Sequence, residues 1–264
     1  MAKVALGEMT WKEVAEAIKG GTRVVVIPMG STEQHGPHLP LLTDSLMVDS
    51  VAKIAAERAG GVLVAPLIPY GTSDNHLDFA GTASLRLDTL RALIVDVGRT
   101  LAGHGFDVVV LLNGHGGNFQ ALAAAAYDLR QLTGKIVAAI NWFAYIKDGY
   151  RRMESRYTWH ADESETSLML HLHPDRVQMG WAVDEAPRAI PFFEFTHEAL
   201  LSAKVDLGLP RTKAVVDSGT FGDARLATAA KGKACVDEAV AALVQVFQKL
   251  RTQGPEIAPH FRAG

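Results

Sequence analysis

Short runs of consecutive apolar residues alternate along this chain with longer stretches in which apolar positions recur every three or four residues. That alternation predicts buried strands exchanging with helices. The run Arg23 to Met29, rich in valine and bounded by Gly20-Gly21 and Gly30-Ser31, reads as a buried parallel strand. From Asp44 onward Met47, Val48, Val51, Ile54 and Ala55 keep a helical face that ends at Gly60-Gly61. Val62 to Leu67 predicts the next strand, Leu87 to Ala102 the next helix, and Val108 to Leu112 a third strand. Asn118 is placed to cap a helix through Ala121 to Leu132, and Lys135 to Asn141 returns as a fourth strand. Leu168 to Leu172 reads as an apolar helix, and a long helix from about Ala224 to Leu250 closes the chain. Two stretches break the pattern: Trp142 to Tyr157, and Ala186 to Pro210 with Phe192, Phe193 and Phe195. They read as insertions over a site or as subunit contacts. The order of elements is that of a doubly wound α/β sheet covered by helices, in one domain over residues 1–264.

Composition narrows the function classes. Hydrophobic residues make up 48% and charged residues 21%, ordinary globular usage, so neither a disordered nor a fibrous chain is expected. A net charge of -3 gives no electrostatic reason to expect nucleic acid or an anionic membrane as partner, and a small-molecule substrate fits better. No stretch approaches the roughly 20 apolar residues of a membrane span, and Met1 to Trp11 lacks the pattern of a signal peptide. Cys235 is the sole cysteine, which excludes an intramolecular disulfide and a thiolate cluster and suits a cytoplasmic protein; it reads as a small buried hydrophobe.

In open α/β sheets the ligand crevice lies beyond the carboxyl ends of the strands. Those positions hold Gly30-Ser31-Thr32-Glu33-Gln34-His35-Gly36-Pro37-His38, Tyr70-Gly71-Thr72-Ser73-Asp74-Asn75-His76 and Asn113-Gly114-His115-Gly116-Gly117-Asn118. Glu33 and His35, two apart in an extended segment, project to the same side, and Gln34 is expected to point away. Asp44, at a helix start, is either a cap or a carboxylate bridging two cations; beside Glu33, His35 and His115 the ligand reading prevails, since mixed carboxylate and imidazole ligation suits zinc, manganese or iron. The glycine loop around His115 could instead cradle phosphate, but it lacks both the lysine of a P-loop and dinucleotide spacing. In Trp159-His160-Ala161-Asp162-Glu163-Ser164-Glu165, the pair Asp162 and Glu165 forms a capping-box-like pattern, which leaves Glu163 as the ligand candidate. His38 and His76 either line the pocket or brace the ligands by hydrogen bonds. His104, His171, His173, His197 and His260 read as structural or surface residues. Trp159 is the aromatic residue expected in the pocket wall, whereas Trp142 and Tyr145 read as core or interface, and Ser73 either binds substrate or shapes its turn.

These residues resemble the creatininase (creatinine amidohydrolase) family. The resemblance is carried by Gly30 through Pro40 with Thr43-Asp44 and by Asn113 through Asn118. Weaker matches lie at His160 through Ser167, Phe79-Ala80-Gly81-Thr82 and Gly222-Asp223 with Ala227-Thr228-Ala229, together covering about residues 7 to 232. It implies a three-layer αβα fold with a mostly parallel central sheet, two divalent cations and a homo-oligomer, commonly a hexamer. Carried over, Glu33 and His115 hold one metal, His35 the other, Asp44 bridges them, and His160 is the catalytic histidine. Creatininase proper has a glutamate ligand two residues after the loop histidine, where this chain has Gly117; Glu163 is expected to replace it, and creatinine is not the expected substrate. The reaction expected is cleavage of an amide C–N bond by a metal-bridged hydroxide, with His160 protonating the departing nitrogen and backbone N–H groups of Gly116 and Gly117 near the oxyanion. Cyclic amides, small linear amides, formamides and peptide trimming stand as alternatives. A non-catalytic metal- or phosphate-binding protein is the competing class, and the intact set Glu33, His35, Asp44, His115, His160 and Glu163 argues against it.

Overall fold

The computed structural model describes residues 3–191, 193–196 and 208–257. Phe192, His197 and His260 lie outside them, as does much of the irregular stretch expected over 186–210. A parallel four-stranded sheet runs through the centre, formed by β1 (Val24–Met29), β2 (Val62–Val64), β3 (Val108–Asn113) and β4 (Ile136–Asn141) in the order β2-β1-β3-β4. Register pairs Val24 with both Val62 and Val108, so β1 has a neighbour on each side, reached by connections in opposite directions. The topological switch point therefore lies between β1 and β3, and the loops leaving these two strands carry Glu33, His35 and His115.

Alternate residues of β1 supply two cores. Val24 and Val26 pack with α2 (Thr43–Ala59), α5 (Glu163–Leu172) and the closing helix α6 (Ala229–Ile257) through Val48, Leu168, Leu243 and Phe247. Val25, Ile27 and Met29 face α3 (Leu87–Gly103) and α4 (Phe119–Thr133) through Leu90, Ile94, Leu122 and Leu129. Sheet between two helical layers is the architecture predicted, each fully buried Leu or Ile contributing roughly 1.5–3 kcal/mol.

Local differences from the expected elements have physical causes. α1 (Trp11–Lys19) was not expected; it starts at a full capping box in which Thr10 accepts from Glu13 N and the Glu13 carboxylate accepts from Thr10 N. β2 stops at Val64 rather than Leu67, because Pro66 has no N–H for the ladder; contact with β1 resumes at the Met29–Ile68 bridge. Asn118 stands before α4 but does not cap it through its side chain. Its amide instead accepts from Thr72 N (3.1 Å) and donates to Gly30 O (3.0 Å), tying together three loops at the switch point. α6 begins at Ala229, after a 3-10 turn at Ala224–Leu226, and α5 begins at Glu163, where Asp162 accepts from Ser164 N and Glu165 N. No helix among the described residues is long and apolar enough to cross a membrane.

Candidate metal centre

The turn after β1, the first turn of α2, the loop after β3 and the start of α5 converge on one buried cluster. Asp44 is at its middle. Its Oδ1 lies 3.2 Å from His35 Nε2 and its Oδ2 lies 2.9 Å from His115 Nδ1. Glu33 Oε2 stands 3.4 Å from His115 Nε2, and Glu165 Oε2 stands 3.8 Å from His35 Nε2. Glu33, Asp44 and His115 can thus hold one ion, and His35, Asp44 and Glu165 a second, with Asp44 common to both; Glu33, His35 and His160 form a further group of suitable spacing. Glu33 Oε2 is buried and accepts no hydrogen bond, a condition a carboxylate tolerates poorly unless a cation completes it.

Electrostatics agree with that fit. Burial works against a charged imidazolium at His35, yet Asp44, Glu165 and Glu33 overcome it and push the pKa up to about 10. His115 behaves likewise: burial opposes the charge, Glu33 and Asp44 favour it, and the pKa is pushed up to about 9. Asp44, although buried, is held well below the usual carboxylate range by His35 and His115. The carboxylates demand positive charge at this point, and a divalent cation would supply it in place of the ring protons. His160 is different: burial, with His35 and His76 beside it, pushes its pKa well below the ordinary histidine value. Its ring centroid lies 4.2 Å from that of His35 and 4.4 Å from that of His76.

The cluster opens into a cavity of about 70 Å³, walled on its apolar side by Trp142, Phe143, Trp159, Leu168 and Leu209 and floored by the backbone of Gly116 and Gly117. Trp159 packs edge-on against Phe195 (5.5 Å), part of a small satellite core with Val215, Val216 and Phe221. Ala161, next to His160, takes a left-handed φ of 49°, a strained conformation for a residue with a Cβ. It is held by a 2.6 Å bond from Ala161 N to Glu165 Oε2, so the strained backbone lies beside the buried cluster.

A model of the creatininase family, described as creatinine amidohydrolase, matches residues 7–247. The chain belongs to the creatininase family. Its relatives include the mycofactocin precursor peptide peptidase of Mycobacterium ulcerans, 36% identical over 88% of this chain and 87% of that protein. Another is the creatinine amidohydrolase of Pseudomonas putida, 35% identical over 72% of this chain and 80% of that one. A solved mutant creatininase of Zn-Zn type superposes with a TM-score of 0.81 at 28% identity, covering 97% of this chain and 100% of the other. The chain is accordingly a creatininase-type hydrolase acting on carbon–nitrogen bonds, with a metal-binding cluster of residues.

Within this creatininase-family fold, Glu33, His35, Asp44, His115 and His160 come together, and Trp159, Gly116 and Gly117 line the cavity beside them. Glu163 does not join them. Its carboxylate accepts from Glu154 N (2.8 Å) and Ser155 N (2.7 Å) and forms an ion pair with Lys231, so its charge is already compensated. Glu165, set aside as half of a capping box, supplies the nearby carboxylate instead. Asp162 does cap α5, while Glu165 reaches back to Ala161 rather than to the cap residue itself. Ser73 is fully buried outside the cavity lining, and its hydroxyl has no hydrogen-bond partner among the described residues. Gln34, expected to point away, turns inward between His76 and His160, and His76 reaches the cavity. His38 is bound to Thr166 (2.7 Å) behind the site. Trp142 is both buried core and cavity wall, and Cys235 is a buried free thiol.

Proposed function

We propose that this chain hydrolyses the amide bond of a small molecule or peptide with two divalent cations, one held by Glu33, Asp44 and His115 and the other by His35, Asp44 and Glu165. The observation carrying this reading is the Asp44 carboxylate set between the two imidazoles, one oxygen toward each. When bound, the cations supply Lewis acidity, lowering the pKa of water toward about 7 and polarising the amide carbonyl. Zinc is the proposed occupant, supported by the Zn-Zn type of a structural relative, with manganese and iron compatible with the same donors. Gly116 and Gly117 line the cavity, and their backbone N–H groups are proposed to hold the developing oxyanion. His160, buried against the cluster, takes a proton from the attacking water and passes it to the departing nitrogen, which an amide needs to leave.

Gly117, in place of the glutamate of creatininase proper, speaks against creatinine. Trimming of a peptide is the second reading, favoured by the 36% identity to a protein named as a peptide peptidase. A homo-oligomer, a hexamer by family, is supported by the exposure of Trp11, Tyr127, Leu132 and Trp181. The single buried thiol suits a reducing, cytoplasmic setting.

The test is a screen of cyclic and linear amides and short peptides with metal-reconstituted protein. Chelation is expected to abolish hydrolysis and zinc, manganese or iron to restore it. His160→Ala is expected to keep its metals and lose at least ~100-fold in turnover. Hydrolysis that persists after complete metal removal would sink the proposal.

A further inference from the structure

Asn113 and Asn118 are fully buried amides that stand outside the ligand set and outside the cavity lining. Both are nevertheless fully engaged. Asn118 Oδ1 accepts from Thr72 N (3.1 Å), and its Nδ2 donates to Gly30 O (3.0 Å) and to Asn113 Oδ1 (3.2 Å). Asn113 Oδ1 also accepts from His115 N (3.2 Å), and its Nδ2 donates to His115 O (2.7 Å) and to Asn141 Oδ1 (2.9 Å). Each amide thus has two hydrogens and two acceptors for them. Turning either one over would set NH2 against the N–H of Thr72 or of His115, so a single orientation satisfies both.

The pair locks the turn after β2 to the loop after β3. Thr72 meets that loop at three points: its N–H donates to Asn118, its hydroxyl donates to Gly117 O, and its carbonyl oxygen stands 2.9 Å from His115 Nε2. Space enforces the fit, since a Cβ on Gly71 would stand 2.4 Å from Asn118 Oδ1 and 2.8 Å from Gly30 O. The His115 ring is held between the Thr72 carbonyl and Asp44 Oδ2, which lies 2.9 Å from Nδ1. A carbonyl behind one ring nitrogen fixes how the opposite side of a ligand histidine is presented. Both amides spend their hydrogens on groups outside the set His35, Asp44 and Glu165.

We propose that Asn118 is a positioning residue for one of the two cations: through Thr72 it holds the His115 ring in the site shared with Glu33 and Asp44, and it does not act on the site of His35 and Glu165. The assignment of the ions rests on the function proposed above. The placing of the ring does not.

Calorimetric zinc titration of the metal-free chain, with denaturant unfolding of the same samples, tests this. In Asn118→Ala one ion is expected to bind about 10- to 100-fold more weakly and the other with unchanged affinity. Gly71→Ala, which keeps every polar group but forces Asn118 and Thr72 apart, is expected to show the same selective loss. Leu129→Ala, a core lesion at the far end of α4, is expected to lose stability and keep both affinities. Equal weakening of both ions in Asn118→Ala, or a selective loss in Leu129→Ala, overturns the proposal. Metal-free crystals of Asn118→Ala and Gly71→Ala are expected to show Thr72 O withdrawn beyond about 3.5 Å from His115 Nε2, and a contact kept in both overturns it as well. A wild-type chain that binds no zinc would count against the proposed function, and those crystals would still decide the role of Asn118.

Discussion

Asp44 divides its carboxylate between two imidazoles, and that division gives the other acidic residues separate tasks. Glu163 and Glu165 are the instructive pair. Two residues apart at the start of α5, they point about 200° apart around the helix, one toward Lys231 and the other toward His35. Glu165→Gln is therefore expected to lower bound metal from two ions to one per chain, measured by elemental analysis, with little loss of stability in the metal-free protein. Glu163→Gln is expected to keep both ions and lose about 3 kcal/mol in denaturant unfolding, because it breaks a buried pair and leaves Lys231 with the exposed Glu154 carboxylate and the Leu226 carbonyl. The opposite pattern of metal loss would return Glu163 to the ligand set. The motif residues Glu33, His35, Asp44, His115 and His160 were legible because each directly follows a strand or a recognisable loop. The choice between Glu163 and Glu165 was not, because it depends on the phase of a helix whose first turn is polar and carries no apolar period to read. Gln34 points inward for a related reason: period-two alternation assumes a continuous strand, but this segment is irregular and runs into a turn at Gly36, whose φ is +64°.

At the scale of elements, α5 and α6 touch backbone to backbone. A Cβ on Gly232 would lie 1.8 Å from Ser167 O, a clash that no side-chain rotation relieves. In an exposed helix Gly→Ala stabilises by about 1 kcal/mol. Here Gly232→Ala is expected to destabilise by about 1–3 kcal/mol in chemical denaturation, through overpacking that pushes α5 and Glu165 away from α6. A stabilised Gly232→Ala would show that the two helices do not need this contact. The strands β1, β3 and β4 could be read from sequence because buried parallel strands are nearly continuous runs of apolar residues. α1 carried two signals, the capping box Thr10-x-x-Glu13 and an apolar stripe of Val14, Ala17 and Ile18 that packs against the core. Pro66 was likewise the available sign that β2 is short.

At the scale of the whole molecule, the five buried histidines His35, His38, His76, His115 and His160 divide into two groups with opposite pH behaviour. In the metal-free protein His35 and His115 have folded pKa values near 10 and 9, raised above the ordinary 6.5. Their stabilising contribution is complete below pH 6.5 and is lost as pH rises toward 10. Burial lowers the pKa of His38 to about 4 and also depresses His76 and His160, and the stability they contribute above pH 6.5 is lost as pH falls. The thermal midpoint of the metal-free protein is thus expected to peak near pH 6.5 and to fall on both sides, followed by calorimetry. Metal affinity is expected to climb with pH above that point, because ions must displace the protons of His35 and His115. A metal-free midpoint that keeps rising to pH 9 would contradict the charge state assigned to these rings.

Gly117 carries a consequence for redesign. A Cβ there would stand 2.1 Å from Thr72 O and 2.5 Å from His115 Nε2, so the turn holding Thr72 fills the room that a glutamate side chain would need. A carboxylate cannot be grafted at this position by one substitution: Thr72 has to withdraw as well, and with it goes the 2.9 Å contact between Thr72 O and His115 Nε2. Any attempt to install a ligand here is a redesign of two loops together.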